Sequence, residues 1–402
     1  MSWTSLLPPR KKIAAILTTC FTRSHAEVIL PKLIKGFPTD NGMLEPQVDL
    51  ASIYLDQIHE EDVCVPFARE NGIPIYPSIV KALTLGGGEL SVDGVLIIGE
   101  HGDYGSNEKE QKLYPRRSFF EQVCGLFSTS GHSVPVFNDK HLSYSWEQAR
   151  WMYDRARELK VPFMAGSSLP VAYRNPWLEY ELETPLEEAL SVAYGGLDAY
   201  GFHALELLQC MVERRQNGET GIVAVHCLEG KEVWEVGKRG VWSPELAAAA
   251  EEHIESRTPG RMEDNCENPA LFLLEYADGL RAASLILNGH LRGWGYAGRS
   301  GGEVQGMEVF LYGDPHPHFV YMGLNIQEMF LTGRPQYPVE RTLLISGALD
   351  ALMESRYRGH VRVETPHLDV CYRSYEKMPI RPSGPRPTGP SAMPWRTAEK
   401  PG

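Results

Sequence analysis

The sequence lacks a run of about 20 apolar residues, the length that a helix needs to cross a bilayer. It also lacks an apolar stretch of signal-peptide type behind its basic N-terminal residues. Basic charge is in short supply, because 39 Lys and Arg residues stand against 52 Asp and Glu, a formal net charge of −13. Nucleic acids and anionic membranes attract basic surfaces, so neither is expected as a general partner. These absences predict a cytoplasmic protein.

Cysteine is sparse as well. None of the seven cysteines forms a Cys-x-x-Cys pair, so the sequence predicts neither a disulfide framework nor a thiolate zinc site. Scattered cysteines are typical of a reducing compartment, which agrees with a cytoplasmic location. The 402 residues, with 43% hydrophobic and 23% charged content, are enough for two domains with full cores.

The most informative absence is that of glycine after the first predicted strand, residues 12–17. Ser24 and Glu27 match a capping box at the start of a helix through Ile34. Strand, turn and helix together are typical of a dinucleotide-binding unit. The turn from Thr18 to Ser24, however, contains no glycine, which such a unit uses to bring its backbone close to a pyrophosphate. The remaining feature of this segment that would attract a phosphate is the N-terminus of the predicted helix.

Strands and helices alternate as far as residue 165, which predicts a parallel, doubly wound sheet. We expect residues 36–46 to form a loop, and the later strands to cover residues 48–55, 73–76, 92–99, 134–138 and 161–165. Polar groups follow three of these strands, at Asp56, at Glu100 with His101, and at residues 138–141. Ligands of open α/β sheets bind outside the carboxyl ends of the strands. These groups are therefore the candidate site.

The second half changes pattern at about residue 183. A helix is predicted from Gly201 to about Arg215, and strands at 221–228, 269–276, 280–288 and 306–312 indicate an antiparallel sheet. Two late helices are expected at 320–331 and 339–356, and His316, His318 and His367 are interpreted as loop residues without chemistry. We predict domains at 1–170 and 171–375, followed by a Pro-rich tail at 376–402 that is extended or disordered from residue 381.

Four short motifs, in order, resemble the glucose–fructose oxidoreductase, inositol dehydrogenase and rhizopine catabolism (Gfo/Idh/MocA) family. The family's Glu-Lys-Pro is similar to Asp-Lys-His at 139–141, and its Gly-x-His-x-x-Asp to Gly-Phe-His-Ala-Leu-Glu at 201–206. Residues 166–170 and 333–359 carry weaker matches. The resemblance implies an N-terminal Rossmann-like domain and a C-terminal α+β domain with an open-faced, mostly antiparallel sheet. It also implies a homodimer or homotetramer formed through that sheet.

The resemblance further implies an oxidoreductase in which a sugar or polyol hydroxyl loses a proton while a nicotinamide takes a hydride. The catalytic candidates are then Lys140, His203, Asp198, His141 and His101. The candidates for holding NAD or NADP are Thr18, Thr19, Cys20, Ser24, Asp56 and Glu100. An acid at position 56 favours NAD, because it suits the free ribose hydroxyls. Capping of the next turn is the structural alternative for the same residue.

Two other functions stay open. A cluster so rich in ionisable groups suits a lyase, hydratase or isomerase acting on a keto-sugar, either by acid–base chemistry alone or with a divalent metal on His101, His203 and Glu206. The chain could instead be a non-catalytic sensor with the same fold. Arg116 and Arg117 are interpreted either as an anion-binding pair or as a solvated surface pair.

Overall fold

The first sheet has six parallel strands at the centre of the N-terminal half. The computed structural model of the protein describes residues 10–395. Its first eight strands are β1 (Lys11–Leu17), β2 (Phe37–Thr39), β3 (Gly42–Leu44), β4 (Val48–Leu55), β5 (Ile75–Tyr76), β6 (Gly94–Ile98), β7 (Val136–Asp139) and β8 (Phe163–Gly166). The sheet order is β5-β4-β1-β6-β7-β8. This is the Rossmann order, with its topological switch point between β1 and β6.

Helices cover both faces of this sheet, because alternate strand residues point to opposite sides. The helices of this half are α1 (His25–Ile29), α2 (Lys32–Lys35), α3 (Cys64–Glu70), α4 (Ile79–Leu83), α5 (Arg116–Ser130) and α6 (Trp146–Glu158). Ala14 and Ile16 face a core shared with α4, α5 and α6. Ile13 and Ala15 face the other core, shared with α1 and α3. The predicted doubly wound sheet is confirmed.

Two local predictions near the N-terminus were wrong. The helix expected from Ser24 through Ile34 is divided into α1 and α2 at Leu30 and Pro31, because proline has no N–H to continue the helical ladder. The loop expected at residues 36–46 is the hairpin β2–β3.

The second sheet has eight strands and is mostly antiparallel, as predicted. Its strands are β9 (Tyr173–Asn175), β10 (Leu186–Ala193), β11 (Ile222–Glu229), β12 (Ala270–Tyr276), β13 (Arg281–Ile286), β14 (Trp294–Ser300), β15 (Glu303–Phe310) and β16 (Val363–Glu364). Their order is β16-β11-β12-β13-β10-β14-β15-β9, and the pair β10–β13 is parallel. Sequence reasoning missed β9, β10, β14 and the two-residue strand β16.

Helices cover the middle of both faces of the second sheet. The remaining helices are α7 (Ala199–Val212), α8 (Lys231–Lys238), α9 (Pro244–Glu251), α10 (Met262–Asn265), α11 (Pro317–Thr332) and α12 (Val339–Tyr357). One face packs against α7 and α12. On the other face, Val192, Leu271 and Leu285 pack against Val233 of α8 and Leu246 of α9. The face that we expected to be open for pairing with a second copy is therefore occupied at its centre by the chain's own helices.

Two other segments differ from expectation. His318 lies in the first turn of α11 and is buried, rather than in a loop, because Pro317 suits the first position of a helix. The tail described to residue 395 is packed: Arg381 forms a salt bridge with Glu179, and the buried Ser391 donates a hydrogen bond to Asp40. Residues 396–402 of the predicted tail lie outside the described part. Among residues 10–395, no helix is both long and apolar enough to cross a membrane.

Candidate active site

Lys140 lies directly after β7 in a buried ionic network. Its backbone has φ 63°, the left-handed region, and its N–H donates to the Gly166 carbonyl at 2.9 Å. The Nζ atom is 2.9 Å from Glu100 Oε1, and the Arg116 guanidinium is 2.6 Å from Glu100 Oε2. Burial alone would raise the pKa of the Glu100 carboxyl, but Lys140 and Arg116 outweigh burial and lower it. Glu100 is thus a buried carboxylate held by two cations.

Arg116 has neither of the two roles expected for residues 116 and 117. It is fully buried in the first turn of α5, and its Nη1 lies 3.0 Å from His141 Nε2. His141 is buried too, and both burial and Arg116 lower its pKa well below the usual value. Arg117 stacks over the Trp151 ring at 4.5 Å. Arg116 therefore lies in the core, whereas Arg117 makes an aromatic contact near the surface.

His203 projects from α7 into a short polar relay. Its Nδ1 is 3.1 Å from Ser167 Oγ, and that hydroxyl in turn donates to Glu206 Oε2. Burial and then Lys140 lower the pKa of His203 well below its usual value, so the ring is neutral at pH 7. Because the Ser167 proton goes to Glu206, Ser167 Oγ accepts from Nδ1–H. Nε2 is then the basic nitrogen of His203.

Asp139, the last residue of β7, is paired with a histidine that sequence reasoning did not select. Asp139 Oδ2 is 2.6 Å from Nδ1 of His25, the first residue of α1. Asp139 is fully buried, whereas the His25 side chain keeps 15% of its surface exposed. The available signal in the sequence was that His25 directly follows the capping serine of α1. Helix α1 begins at the edge of the sheet where β7 ends, so its first residue lies near Asp139.

The other two catalytic candidates lie at the margin of this network. His101, with φ 67°, is half-buried, and burial lowers its pKa to about 4. Asp198 precedes α7, and its Oδ2 accepts a hydrogen bond from the Lys112 N–H at 3.0 Å. Burial raises the pKa of the Asp198 carboxyl. The structure therefore brings Lys140, His101, His141 and His203 together at the carboxyl ends of the strands, a region that we call the crevice, with Asp198 held by the loop before α5.

The residues proposed for cofactor binding have mixed placements. Thr18 Oγ1 donates to the Glu100 carbonyl at 2.6 Å, and Cys20 is buried beside Cys64, which together with burial raises its pKa. The buried Thr19 Oγ1 has no partner within residues 10–395. Both oxygens of the exposed Asp56 accept hydrogen bonds, from Tyr54 and from Tyr104, each at 2.6 Å. A cleft of about 730 Å³ lies next to these residues, lined by Thr19, Phe21, Gln57, His59, His101 and Tyr114.

No family model and no curated protein matches the chain, but solved structures do. GenD2 from gentamicin A biosynthesis, in complex with NAD, is 15% identical, with a TM-score of 0.56 over 90% of this chain and 99% of that one. A myo-inositol dehydrogenase from Corynebacterium glutamicum is 12% identical, with a TM-score of 0.54 over 89% and 99%. An inositol dehydrogenase homolog from Azotobacter vinelandii, with NADH and myo-inositol, is 11% identical, with a TM-score of 0.51 over 88% and 97%.

The chain has the Gfo/Idh/MocA fold. Within that fold, the turn between β1 and α1 is the part that departs furthest from a dinucleotide-binding motif. Ser24 Oγ accepts from the N–H groups of Phe21 and Glu27, at 3.1 and 3.4 Å, and caps α1 as predicted. Glu27 Oε2 accepts from the Arg23 N–H at 2.8 Å.

Only the Ser24 half of the predicted capping box forms, because the Ser24 N–H donates to the Phe21 carbonyl and Glu27 bonds Arg23 instead. This hydrogen-bonded turn does not fit a dinucleotide pyrophosphate. A pyrophosphate binds to free N–H groups at such a turn, whereas here the Phe21, Arg23 and Ser24 N–H groups are used internally. The Glu27 carboxylate also puts negative charge where a phosphate would bind. The Phe21 ring stacks on His59 with a centroid separation of 4.4 Å, so the side chain at the turn is held in place.

The alternative metal set does not assemble. Both oxygens of Glu206 accept from the Ser167 N–H, at 2.9 and 3.1 Å, and Oε2 also accepts from its hydroxyl. His203 is engaged with the same serine. Throughout the described residues 10–395, no three His, Cys, Asp or Glu side chains form a group that could hold a metal ion. His101, His203 and Glu206 therefore do not make a metal centre in this structure.

Proposed function

We propose that the protein is an enzyme that transfers protons at hydroxyl- and carbonyl-bearing carbons of a sugar- or polyol-like molecule, without a bound dinucleotide. The reaction class is that of an isomerase, hydratase or lyase. The observation that carries the proposal has two parts. The N–H groups of the β1–α1 turn are already hydrogen-bonded, and at the strand ends neutral His203 lies near Lys140, which is ion-paired with Glu100.

The lysine and the histidine have complementary roles at a carbonyl or hydroxyl group. The Lys140 ammonium, fixed by Glu100 at 2.9 Å, stabilises negative charge that develops on a substrate oxygen. Neutral His203 accepts or returns the proton of a neighbouring hydroxyl through Nε2, because Ser167 holds the proton on Nδ1. Glu206 acts through Ser167 and is a positioning residue. The net charge of −13 supports a small molecule rather than a nucleic acid as the partner.

The experiment that tests this proposal is hydrogen exchange at carbon. The purified protein is incubated in D2O with D-fructose, dihydroxyacetone and a keto-inositol, and loss of C–H signals is followed by proton NMR. In parallel, the protein is titrated with NADH and with NADPH while nucleotide fluorescence is recorded. We expect exchange with at least one keto-sugar and no saturable nucleotide signal. No exchange with any probe would reject the proposal.

One observation favours a second candidate, a nicotinamide-dependent sugar or polyol oxidoreductase. The 730 Å³ cleft and Asp56 lie at the carboxyl ends of the strands where the fold places a dinucleotide. GenD2 and the Azotobacter vinelandii homolog were solved with NAD and NADH, respectively. Saturable NADH binding in the same titration, followed by reduction of NAD with a polyol, would establish this candidate in place of the first. If neither exchange nor nucleotide binding is observed, the non-catalytic sensor is the function that is left.

A further inference from the structure

The buried carboxylate Asp139 and the partly exposed His25 form a histidine–carboxylate dyad at the mouth of the crevice. Asp139 Oδ2 is 2.6 Å from His25 Nδ1. The other oxygen, Oδ1, is buried and has no partner among residues 10–395. A buried carboxylate with a single partner destabilises the folded state whenever that hydrogen bond is broken. The dyad therefore fixes the His25 ring with Nδ1 towards Asp139.

The remaining ring nitrogen of His25 is available for chemistry. Nε2 makes no hydrogen bond within the described chain. The ring packs edge-on against His101 and Phe319, with centroid separations of 5.8 and 5.2 Å. His101 lines the cleft, so His25 contacts a residue of the cleft wall, and it is also near enough to Glu100 to act on that carboxylate electrostatically.

A second histidine–carboxylate pair shows what a purely structural version looks like. His290 Nε2 is 2.5 Å from Glu251 Oε2, and its Nδ1 is 3.0 Å from the Asn265 amide. The His290 side chain is fully buried. Both nitrogens of His290 are engaged, so that pair has no free base. His25 differs in the two properties that a base needs, a free nitrogen and partial exposure.

We propose that His25 is a catalytic base that removes a carbon-bound proton, and that Asp139 positions it. This inference rests on the proposed function above. With the Asp139 carboxylate accepting from Nδ1–H, the ring is held in the tautomer whose lone pair is on Nε2. The dyad lies next to the β1–α1 turn, where the Phe21, Arg23 and Ser24 N–H groups already have partners.

The step conserves atoms and electrons without a redox partner. The bond between hydrogen and the carbon next to a substrate carbonyl breaks, and the proton goes to His25 Nε2. The electron pair forms the carbon–carbon double bond of an enediolate, and the carbonyl oxygen takes the negative charge beside the Lys140 ammonium. Return of the proton to the former carbonyl carbon gives the isomer, while the proton of the adjacent hydroxyl passes through His203 Nε2 to the carbonyl oxygen. Return of a deuteron from D2O to the same carbon gives the exchange that NMR detects.

The test compares wild type, His25→Gln and Asp139→Asn in the D2O exchange assay with the same three probes. His132→Gln is the control, because His132 is exposed and its one hydrogen bond within residues 10–395 is to the Ser130 carbonyl. We expect His25→Gln and Asp139→Asn to lower the exchange rate about 10²- to 10⁴-fold, and the control to leave it unchanged. A long-range proton–nitrogen spectrum of the histidine rings reports the tautomer. We expect Nδ1–H for His25 in wild type and Nε2–H in Asp139→Asn.

Each outcome decides the question. Wild-type exchange rates in His25→Gln reject the dyad but leave the proposed function intact. An unchanged His25 tautomer in Asp139→Asn rejects the positioning role of Asp139, even if that variant loses activity by misfolding. Absence of exchange in the wild-type protein itself rejects the proposed function and, with it, the catalytic role of His25.

Discussion

Two buried carboxylates, Glu213 and Asp139, show how burial of charge differs between a structural network and a site. Glu213 accepts two hydrogen bonds from Arg341, at 2.8 and 2.6 Å, one from Tyr372 at 2.8 Å and one from Ser374 at 2.7 Å. Asp139 has His25 on one oxygen and, among residues 10–395, no partner on the other. Both carboxylates are fully buried, so the difference lies in how completely each is bonded.

The same contrast holds for the side chains around them. Glu213, Arg341, Tyr372 and Ser374 contribute no unpartnered buried polar atom within residues 10–395. The crevice and its margin have six such atoms, which are Thr19 Oγ1, Arg116 Nε, Asn138 Oδ1, Asp139 Oδ1, His141 Nδ1 and Asp198 Oδ1. Buried polar groups are normally hydrogen-bonded, and exceptions ask for an explanation. Unused hydrogen-bonding capacity, rather than buried charge, is what distinguishes the candidate site from the structural network.

The largest effect on stability is expected in the saturated network. Arg341→Met leaves Glu213 buried without its cation, which costs about 3–5 kcal/mol, and urea denaturation measures the loss. Arg362→Met is the matched control, because Arg362 also forms two bonds to a carboxylate, Glu275, but at the exposed surface. An exposed pair contributes less than about 1 kcal/mol. Equal losses in the two variants would remove the distinction between the networks.

Substitutions in the crevice are expected to affect activity more than stability. Lys140→Ala and His203→Ala should each lower keto-sugar exchange about 10²- to 10⁴-fold, while circular dichroism shows a folded protein, because Arg116 still neutralises Glu100. Lys238→Ala is the control, since Lys238 pairs with Glu235 at 2.8 Å on the surface of α8. Full activity in both crevice variants would contradict the site assignment.

The pH dependence of Glu206 tests the relay to His203. Burial raises the pKa of this carboxyl from 4.5 to about 7 in the folded state. A raised folded pKa adds stability below the unfolded pKa, and that stability is lost as pH rises towards 7. Glu206→Gln mimics the protonated acid. Its stability relative to wild type should therefore increase between about pH 4.5 and 8, on the order of 1–3 kcal/mol. A difference in denaturation free energy that stays constant with pH would refute this.

The smallest effect is expected at the β1–α1 turn. Ser24→Ala removes the cap of α1 and should cost about 1 kcal/mol of stability. Ser78→Ala is the matched control, because Ser78 caps α4 through the Lys81 N–H at 3.2 Å. Similar losses of stability are expected. A loss in Ser24→Ala several times larger than in Ser78→Ala would show that the turn does more than cap a helix.

The sequence was sufficient for the first sheet and for the location of the crevice. Apolar strands followed by polar residues predicted the ends of β6 and β7, where Glu100 and Lys140 meet. Pairing could not be predicted, because it depends on contacts far apart in the chain. His25 and Asp139 are 114 residues apart. Arg116 was interpreted as a surface or ligand-binding cation, because the sequence does not show that Glu100 and His141 are its buried partners.

The second sheet was harder to predict for a different reason. Residues 231–251 form α8 and α9 between two strands that are neighbours in the sheet. Sequence reasoning missed both helices and expected consecutive strands with an exposed face. β14, which contains three small residues, Gly295, Ala297 and Gly298, was also missed. Gly295 is needed there because a Cβ atom would lie 2.0 Å from the Ala250 carbonyl oxygen of α9.

The packed tail has a mechanical consequence for the crevice. Asp40, in the turn of the β2–β3 hairpin, accepts hydrogen bonds from Tyr173 of β9 at 2.7 Å, Tyr321 of α11 at 2.9 Å and Ser391 at 2.5 Å. Arg381 ties the same tail to Glu179 in the second half of the chain. These contacts join the β2–β3 hairpin of the first half, β9 and α11 of the second half, and the tail at one carboxylate. The tail therefore adds its own hydrogen bonds to those that hold the two halves together, and its removal would leave Asp40 with fewer partners.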